Sequence, residues 1–296
     1  MKVLVTGASG LLGTKLAQLA QESGHNVESA YGEHAPQFGK PIRLDITSEN
    51  DVLEHVSRGK PDVVFNTASV TDVDLCERQP DLAMRVNGEA VGIIARACKE
   101  YHAFLIHVST DYVFDGERGT YREGDEPAPI NVYGRSKLLG EEQLQHNTTN
   151  YLLARTSVVY GWGRQHRPNF ATWLISKLKA GESVRIVSGQ FASPTFNTHL
   201  ARMLLEAAER RLNGIIHMAG ATRINRFDFS LELARAFGFD QALVTLTDAN
   251  PTSWSALRPR DSSLDVSKAT RTFSAKPISV EEALQQFRAE TPLWDA

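Results

Sequence analysis

Cysteine is scarce in this chain. Only Cys76 and Cys98 occur in 296 residues, so no disulfide framework can form, and the usage suits a reducing compartment. Both read as small core hydrophobes. Long apolar runs are missing as well: nothing approaches the roughly 18 residues that a membrane span needs. The opening Val3-Leu4-Val5 meets Gly7 too soon for a signal-peptide core. The chain therefore reads as soluble and cytoplasmic, with no membrane partner. No sign of charge dominates either. Lys and Arg total 32 against 35 Asp and Glu, a formal charge of -3, which gives no general attraction to nucleic acid. The 9 histidines are scattered without the close His/Glu pairing of a zinc helix, and no metal site is expected. His107, inside an apolar strand, reads as a satisfied core residue. A Gly-x-Ser-x-Gly elbow is absent, which leaves serine hydrolase chemistry without an anchor.

What is present is ordinary globular material, 42% hydrophobic and 23% charged. At about 150 residues per domain, the length allows one large domain or two unequal ones. Apolar runs alternate with helical stretches through the first half. Val3-Leu4-Val5, Val27 to Tyr31, Val63-Val64-Phe65 and Phe104 to Val108 read as strands. Leu11 to Glu22, Ser48 to Ser57 and Asp81 to Tyr101 read as helices between them, Ser48 and Asp51 forming a capping box. Strands alternating with helices imply right-handed crossovers, hence an α/β fold with a doubly wound parallel sheet of Rossmann type.

Beyond Gly161 the pattern changes. Tyr151 to Arg155, Val184 to Val187 and Ile215 to Met218 read as further strands, and Thr198 to Arg211 as a helix. Pro251, Pro259 and Pro277 interrupt the rest until Ser279 and Glu282 open a final helix. The order of elements places 1–160 and 184–222 in a dinucleotide-binding domain. Residues 161–183 and 223–296 would form a smaller, mostly C-terminal substrate lobe. The terminal Pro292-Leu293-Trp294-Asp295-Ala296 reads as docked on its own domain.

Gly7-Ala8-Ser9-Gly10-Leu11-Leu12-Gly13 lies between the first strand and the first helix. Glycine there permits a tight turn and lets backbone N–H groups approach an anion at the helix N-terminus. The spacing, G-x-x-G-x-x-G, differs from the common G-x-G-x-x-G fingerprint. After the second strand an acid would hold a ribose hydroxyl and an Arg a 2′-phosphate. Glu33 can take the acid's part, and no Arg or Lys precedes Lys40 and Arg43, so NADP and NAD both stay open. Asp45 is placed in order either to meet an adenine edge or to cap the helix that follows.

Tyr133 and Lys137 stand four apart, on one face of a helix. A nearby ammonium favours the phenolate and makes tyrosine a usable proton donor. No other tyrosine has a lysine at that spacing. The buried strand at Phe104 delivers Ser109-Thr110-Asp111-Tyr112 at its C-terminal end, where open parallel sheets bind ligands. Thr110 can hydrogen-bond a substrate carbonyl.

These residues resemble the extended short-chain dehydrogenase/reductase superfamily over nearly the whole chain. The finer likeness is to dTDP-4-dehydrorhamnose reductases and to the related regulatory β subunit of methionine adenosyltransferase. It is carried by Ser109 to Gly116, Tyr121-Arg122-Glu123, Pro129 to Lys137, Arg155-Thr156-Ser157, Gln190 to Thr195 and Arg258-Pro259-Arg260. The resemblance implies that Gly7, Gly10, Leu11, Leu12 and Gly13 hold a pyrophosphate. Asp45 and Ile46 would border an adenine, and Asn66, Thr67 and Ala68 would run along the cofactor, NADP(H) or NAD(H). It implies Thr110, Tyr133 and Lys137 as catalytic residues that reduce the C4 ketone of a nucleotide-linked 6-deoxy-4-keto sugar. Substrate would meet Val70, Thr71, Asp74, Asp111, Gln190 and Phe191, with Arg258 and Arg260 on its diphosphate and Arg223 and Arg226 as lesser candidates. Room remains for a homodimer. Leu11-Leu12 departs from the Gln common in rhamnose-pathway reductases, which leans toward the regulatory subunit. An epimerase or dehydratase on the same scaffold is the other competing reading, although a dehydratase would show Asp-Glu after the threonine, where this chain has Asp111-Tyr112.

Overall fold

A computed structural model describes residues 1–163, 168–247 and 254–291; the terminal segment 292–296 lies outside them. Seven strands form the main sheet: β1 (Lys2–Thr6), β2 (Asn26–Tyr31), β3 (Lys40–Arg43), β4 (Val63–Asn66), β5 (Phe104–Thr110), β6 (Tyr151–Thr156) and β7 (Gly214–His217). Every pairing is parallel, in the order β7-β6-β5-β4-β1-β2-β3. Parallel strands covered on both faces need continuous apolar runs, and β4 is buried along its whole length. The chain winds one way through β2 and β3 and the other way from β4 onward. That reversal opens a crevice outside the C-terminal ends of β1 and β4.

On one face lie α1 (Leu11–Glu22) and a later helix, Asn197–Glu209. Leu16, Ala17, Leu200 and Met203 pack there on Val3, Val5, Phe65 and Ile106. On the other face lie α2 (Glu49–Gly59), α3 (Ala90–Glu100) and α4 (Val132–Asn147). Val52, Ile94, Cys98 and Leu144 cover Leu4, Val64 and Leu105 from that side. Ser48 caps α2 by accepting from Asp51 N at 3.3 Å. The helix expected over Asp81 to Tyr101 is not uniform. Pro80–Ala83 passes through a wide π turn, Met84–Glu89, before α3 begins.

The strand expected at Val184–Val187 forms outside the main sheet, where it pairs in parallel with Val244–Thr247. Its Val184 and Ile186 join a second core rather than the first. That core gathers α5 (Phe170–Lys179), α7 (Arg226–Phe237) and α8 (Val280–Ala289), with the Asn197–Glu209 helix numbered α6. Among the described residues no helix is long and apolar enough to cross a membrane. Phe287 of α8 is the hub of the second core, its ring 4.7 Å from Trp162, 5.4 Å from Phe237, 5.5 Å from Tyr160 and 5.8 Å from Phe196. Truncating it leaves a cavity that such neighbours cannot fill by small shifts. Phe287→Ala should cost about 3–5 kcal/mol of stability, read as a lower urea midpoint with an unchanged slope.

Candidate active site

The glycine-rich loop begins where β1 ends. Gly7 has φ of 67°, and a Cβ on it would stand 2.7 Å from the backbone of Ala68, so the loop after β1 lies flat on the loop after β4. A Cβ on Gly13 would meet the Gly7 carbonyl oxygen at 2.2 Å. Gly10 caps α1 with no side-chain hydrogen bond, and the first helical N–H groups, those of Leu11, Leu12 and Gly13, have no acceptor within the helix. Free N–H groups at a positive helix end, with no side chain in the way, fit a pyrophosphate. Leu12 turns inward to the core at 8% exposure, while Leu11 stays half-buried.

Downstream, Asp45 is exposed and accepts from the N–H and hydroxyl of Thr47, at 2.9 and 2.7 Å. Those bonds hold its carboxyl below the usual range. Its side chain is turned into this local loop, and the capping of α2 falls to Ser48. Ile46 packs beside the core under β3. Thr67 donates its hydroxyl to Thr6 O at 2.6 Å. The Asn66 side chain is wholly buried and bonded to Thr6 and His107, so toward a cofactor it can offer only backbone.

β5 and α4 bring the three central residues together. Side chains alternate along a strand, which sends His107 and Ser109 toward α4. Thr110 ends β5 and caps a short 3-10 turn, Asp111–Val113, by accepting from Tyr112 N. Asn131 caps α4 by accepting from Gly134 N at 2.8 Å, which sets Tyr133 in the first helical turn. A Cβ on Gly134 would stand 2.2 Å from Tyr112 O; only glycine lets α4 press this closely on the end of β5. Tyr133 thereby lies beside the Thr110 hydroxyl, whose hydrogen bond favours the phenolate, although burial pushes the phenol up on balance. Val70, Cys76 and Met84 back the ring, and Tyr112 meets it edge-on at 5.8 Å. One turn on, Lys137 is 2% exposed and donates to Val108 O at 2.8 Å. Burial lowers its ammonium to about 8, against the pull of Glu141.

Asp111 is buried and spent. It accepts from Thr110 at 3.0 Å, Ser157 at 2.8 Å and Ser262 at 2.5 Å, and burial raises its carboxyl on balance despite those bonds. Asn87, in the π turn, was not anticipated from the sequence. It accepts from Ser69 Oγ and Val70 N and donates to Val70 O and Ser136 Oγ, tying the loop after β4 to α4. A π turn inside a long helical stretch has no residue pattern of its own; its side-chain bonds are its signature.

The expected substrate residues divide. Gln190 and Phe191 line a narrow cleft with Tyr112, Val158, Arg226 and Ser262. Asp74 and Arg258 instead bind one another, at 2.6 and 3.1 Å, and Asp74 also accepts from the N–H groups of Ser255 and Ala256. Burial works against its charge, but these donors hold the Asp74 carboxyl far below its usual range. Arg260 is exposed, and its carbonyl holds Phe191 N at 2.8 Å. Arg223 covers one face of Phe191 at 3.9 Å and bonds Asp261. Thr71 is exposed, and Val70 sits behind Tyr133. Of the four arginines, Arg226 is the one in the cleft, over the Phe170 ring at 5.2 Å and that of Trp254 at 5.8 Å.

A glycine-rich loop after the first strand of a doubly wound parallel sheet, with threonine, tyrosine and lysine brought together at the end of β5, marks the class: an NAD(P)H-dependent oxidoreductase of the short-chain dehydrogenase/reductase type. The family model described as the RmlD substrate binding domain matches residues 1–292, and the chain belongs to that family. The probable low-salt glycan biosynthesis reductase Agl14 of Haloferax volcanii is 37% identical over 293 residues, 98% of each chain. The methionine adenosyltransferase 2 subunit beta of Pongo abelii is 31% identical, over 90% of this chain and 81% of its own. Among solved structures, dTDP-4-dehydrorhamnose reductase from Bacillus anthracis in complex with NADP has a TM-score of 0.88 at 30% identity, covering 98% of this chain and 100% of that one.

Beneath the site, Glu141 of α4 and Arg155 of β6 form a bidentate pair at 1% and 3% exposure. Glu141→Gln would leave the Arg155 charge buried without a counter-ion. A loss of about 3–5 kcal/mol is expected, measured by urea unfolding at neutral pH.

Proposed function

We propose that this protein reduces the C4 ketone of a nucleotide-linked 6-deoxy-4-keto sugar, dTDP-4-dehydro-L-rhamnose being the first substrate to try and dTDP-L-rhamnose its product. The observation that carries the reading is the Tyr133 phenol beside Thr110, with the Lys137 ammonium one turn away. NADP(H), with NAD(H) as the alternative, would lie from Gly7, Gly10 and Gly13 past Thr67 and Ala68 toward Tyr133 and Lys137. When bound, it supplies the hydride that the ketone carbon accepts. Tyr133 gives its proton to the C4 oxygen. Lys137, by its charge and by the positive end of α4, stabilises the phenolate left behind. Thr110 would polarise the carbonyl once its hydroxyl turns from Asp111, a carboxylate that keeps Ser157 and Ser262 as donors.

Asp111 is followed by Tyr112 rather than by a second carboxylate, which favours reduction over dehydration. The lobe around the second core would hold the nucleotide. Since Arg258 is bound to Asp74, Arg226 is the cation placed to meet the diphosphate, bidentately as guanidinium does.

A thermal-shift titration with NADPH, NADH, dTDP, UDP and GDP tests both halves, because a ligand selective for the folded state raises stability by mass action. Shifts with NADPH and dTDP together are expected. A shift with NADPH alone, and no turnover, would favour a regulatory subunit. Tyr133→Phe should lower kcat by roughly 10²–10⁴-fold while keeping the NADPH shift; undiminished turnover overturns the assignment of the acid.

A further inference from the structure

Three adjacent strands place polar side chains in one rung of the sheet. Thr6 of β1, Asn66 of β4 and His107 of β5 are register partners, each 1% exposed or less. Lys137 of α4 ends the row. Uncompensated polar groups at such depth are costly, so the direction of each hydrogen bond is constrained. Thr6 Oγ1 lies 2.6 Å from Asn66 Oδ1, the spacing of an O–H···O bond rather than of N–H···O. That hydroxyl has no other bond among the described residues. The Asn66 amide therefore turns its NH₂ to His107 Nδ1, at 3.1 Å. An amide N–H can only donate, so Nδ1 is bare and the ring carries its proton on Nε2. Nε2 faces Lys137 Nζ at 3.5 Å, long for a hydrogen bond and fitting two N–H groups set against each other.

We propose that Thr6, Asn66 and His107 are positioning residues that fix the His107 tautomer with its N–H toward Lys137, weakening that amine's hold on its proton and leaving Val108 O as its anchor. The inference deepens the reductase reading and rests on it for its catalytic consequence. His107 cannot become a cation here: burial, then the charge of Lys137, holds it well below its usual range. The other groups facing Lys137 are Tyr133 and Glu141, one turn before and after it on α4. Glu141 shares its charge with Arg155 of β6 and its Oε1 with Ser109 of β5. Because reduction needs the ammonium, activity is lost as pH rises through the pKa of Lys137.

The test is an NMR titration of Lys137 and of the His107 ring nitrogens in the full chain. The native protein should show Nε2 protonated and Nδ1 bare from about pH 6 to about pH 9. Thr6→Val keeps the shape but removes the hydroxyl proton. Asn66 can then turn its carbonyl to the ring, His107 moves its proton to Nδ1, and the bare Nε2 accepts from Lys137. The pKa of Lys137 should rise by about one unit, and the alkaline limb of kcat/KM for keto-sugar reduction should rise with it. His107→Gln, whose carbonyl can face Lys137, should shift both the same way. A native ring protonated at Nδ1, or a Lys137 titration unmoved in both variants, overturns the proposal. A shifted Lys137 with no keto-sugar turnover in any form overturns the reductase reading instead and leaves the row standing.

Discussion

The site depends on one buried ion pair. Glu141 Oε1 accepts from Ser109 at 2.6 Å and from Arg155 Nε at 3.0 Å, while Oε2 takes Arg155 Nη2 at 2.7 Å. Two ions taken out of water cost several kcal/mol each before their attraction is counted, so an apolar pair would hold α4 on the sheet at least as firmly. What an apolar pair would not fix is the rotation of the helix about its axis. Glu141 can reach both Ser109 and Arg155 in one orientation only. Lys137 and Tyr133 lie one and two turns before it on the same face, and that orientation sends both toward the end of β5. The Arg155 guanidinium also lies over the Phe114 ring at 5.1 Å, so the chain leaving the site is packed on the same pair.

The segment from Leu257 to Ser262 is joined to the site by hydrogen bonds rather than by a bare hinge. Ser262 donates to Asp111, Asn131 Nδ2 to Leu257 O at 2.8 Å, and Asp261 N to Gly116 O at 2.9 Å. Arg258 adds its bond to Asp74. Three of these partners neighbour a central residue: Asp111 follows Thr110, Asn131 caps the helix of Tyr133, and Asp74 lies in the first turn of the short helix, Val73–Arg78, that carries Cys76 behind that tyrosine. The pieces that line the cleft at Gln190 and Phe191 and those that position Tyr133 are therefore hydrogen-bonded together. Arg258 illustrates the consequence. A sequence can show that an arginine is close enough to serve a diphosphate, but not that a carboxylate 184 residues away already holds it.

Much of the fold was legible because it follows from periodicity. The runs at Val3 and Val63 are apolar throughout, and that at Phe104 is broken only by His107, as strands buried on both faces require, and Leu11 to Glu22 matches α1 end to end. The helices α5 and α7 were not read, although Asn169 and Asn225 cap them and Gly238 closes the second in a left-handed turn. Their aromatic faces serve a core built from distant segments, and no short window shows that need. Val184–Val187 was read as a strand but joined to the wrong sheet. Strand character is local, whereas its partner Val244–Thr247 is set by how α7 packs. At the site, the spacing of Tyr133 and Lys137 and the glycines at 7, 10 and 13 were readable, since backbone geometry dictates them. Asn87 was not, because its work is done by four bonds to residues elsewhere in the chain.

The polar rung shows why chemistry hides where structure is most regular. Thr6, Asn66 and His107 end or interrupt three runs that otherwise obey the apolar rule, and each alone has a bland explanation. His107 read as a satisfied core histidine, and Asn66 satisfies its Nδ1, while its other nitrogen faces Lys137. The partners are 41 and 60 residues apart, so only the pairing register of three strands brings them into one row. A parallel sheet would be more stable with valine at all three positions. Polar groups kept there at a cost mark the place where local rules yield to function, and the row runs from the strand that opens the glycine-rich loop to Lys137, one turn from Tyr133. Its position, rather than any one of its residues, ties the glycine-rich loop to the Tyr133 and Lys137 pair proposed for catalysis.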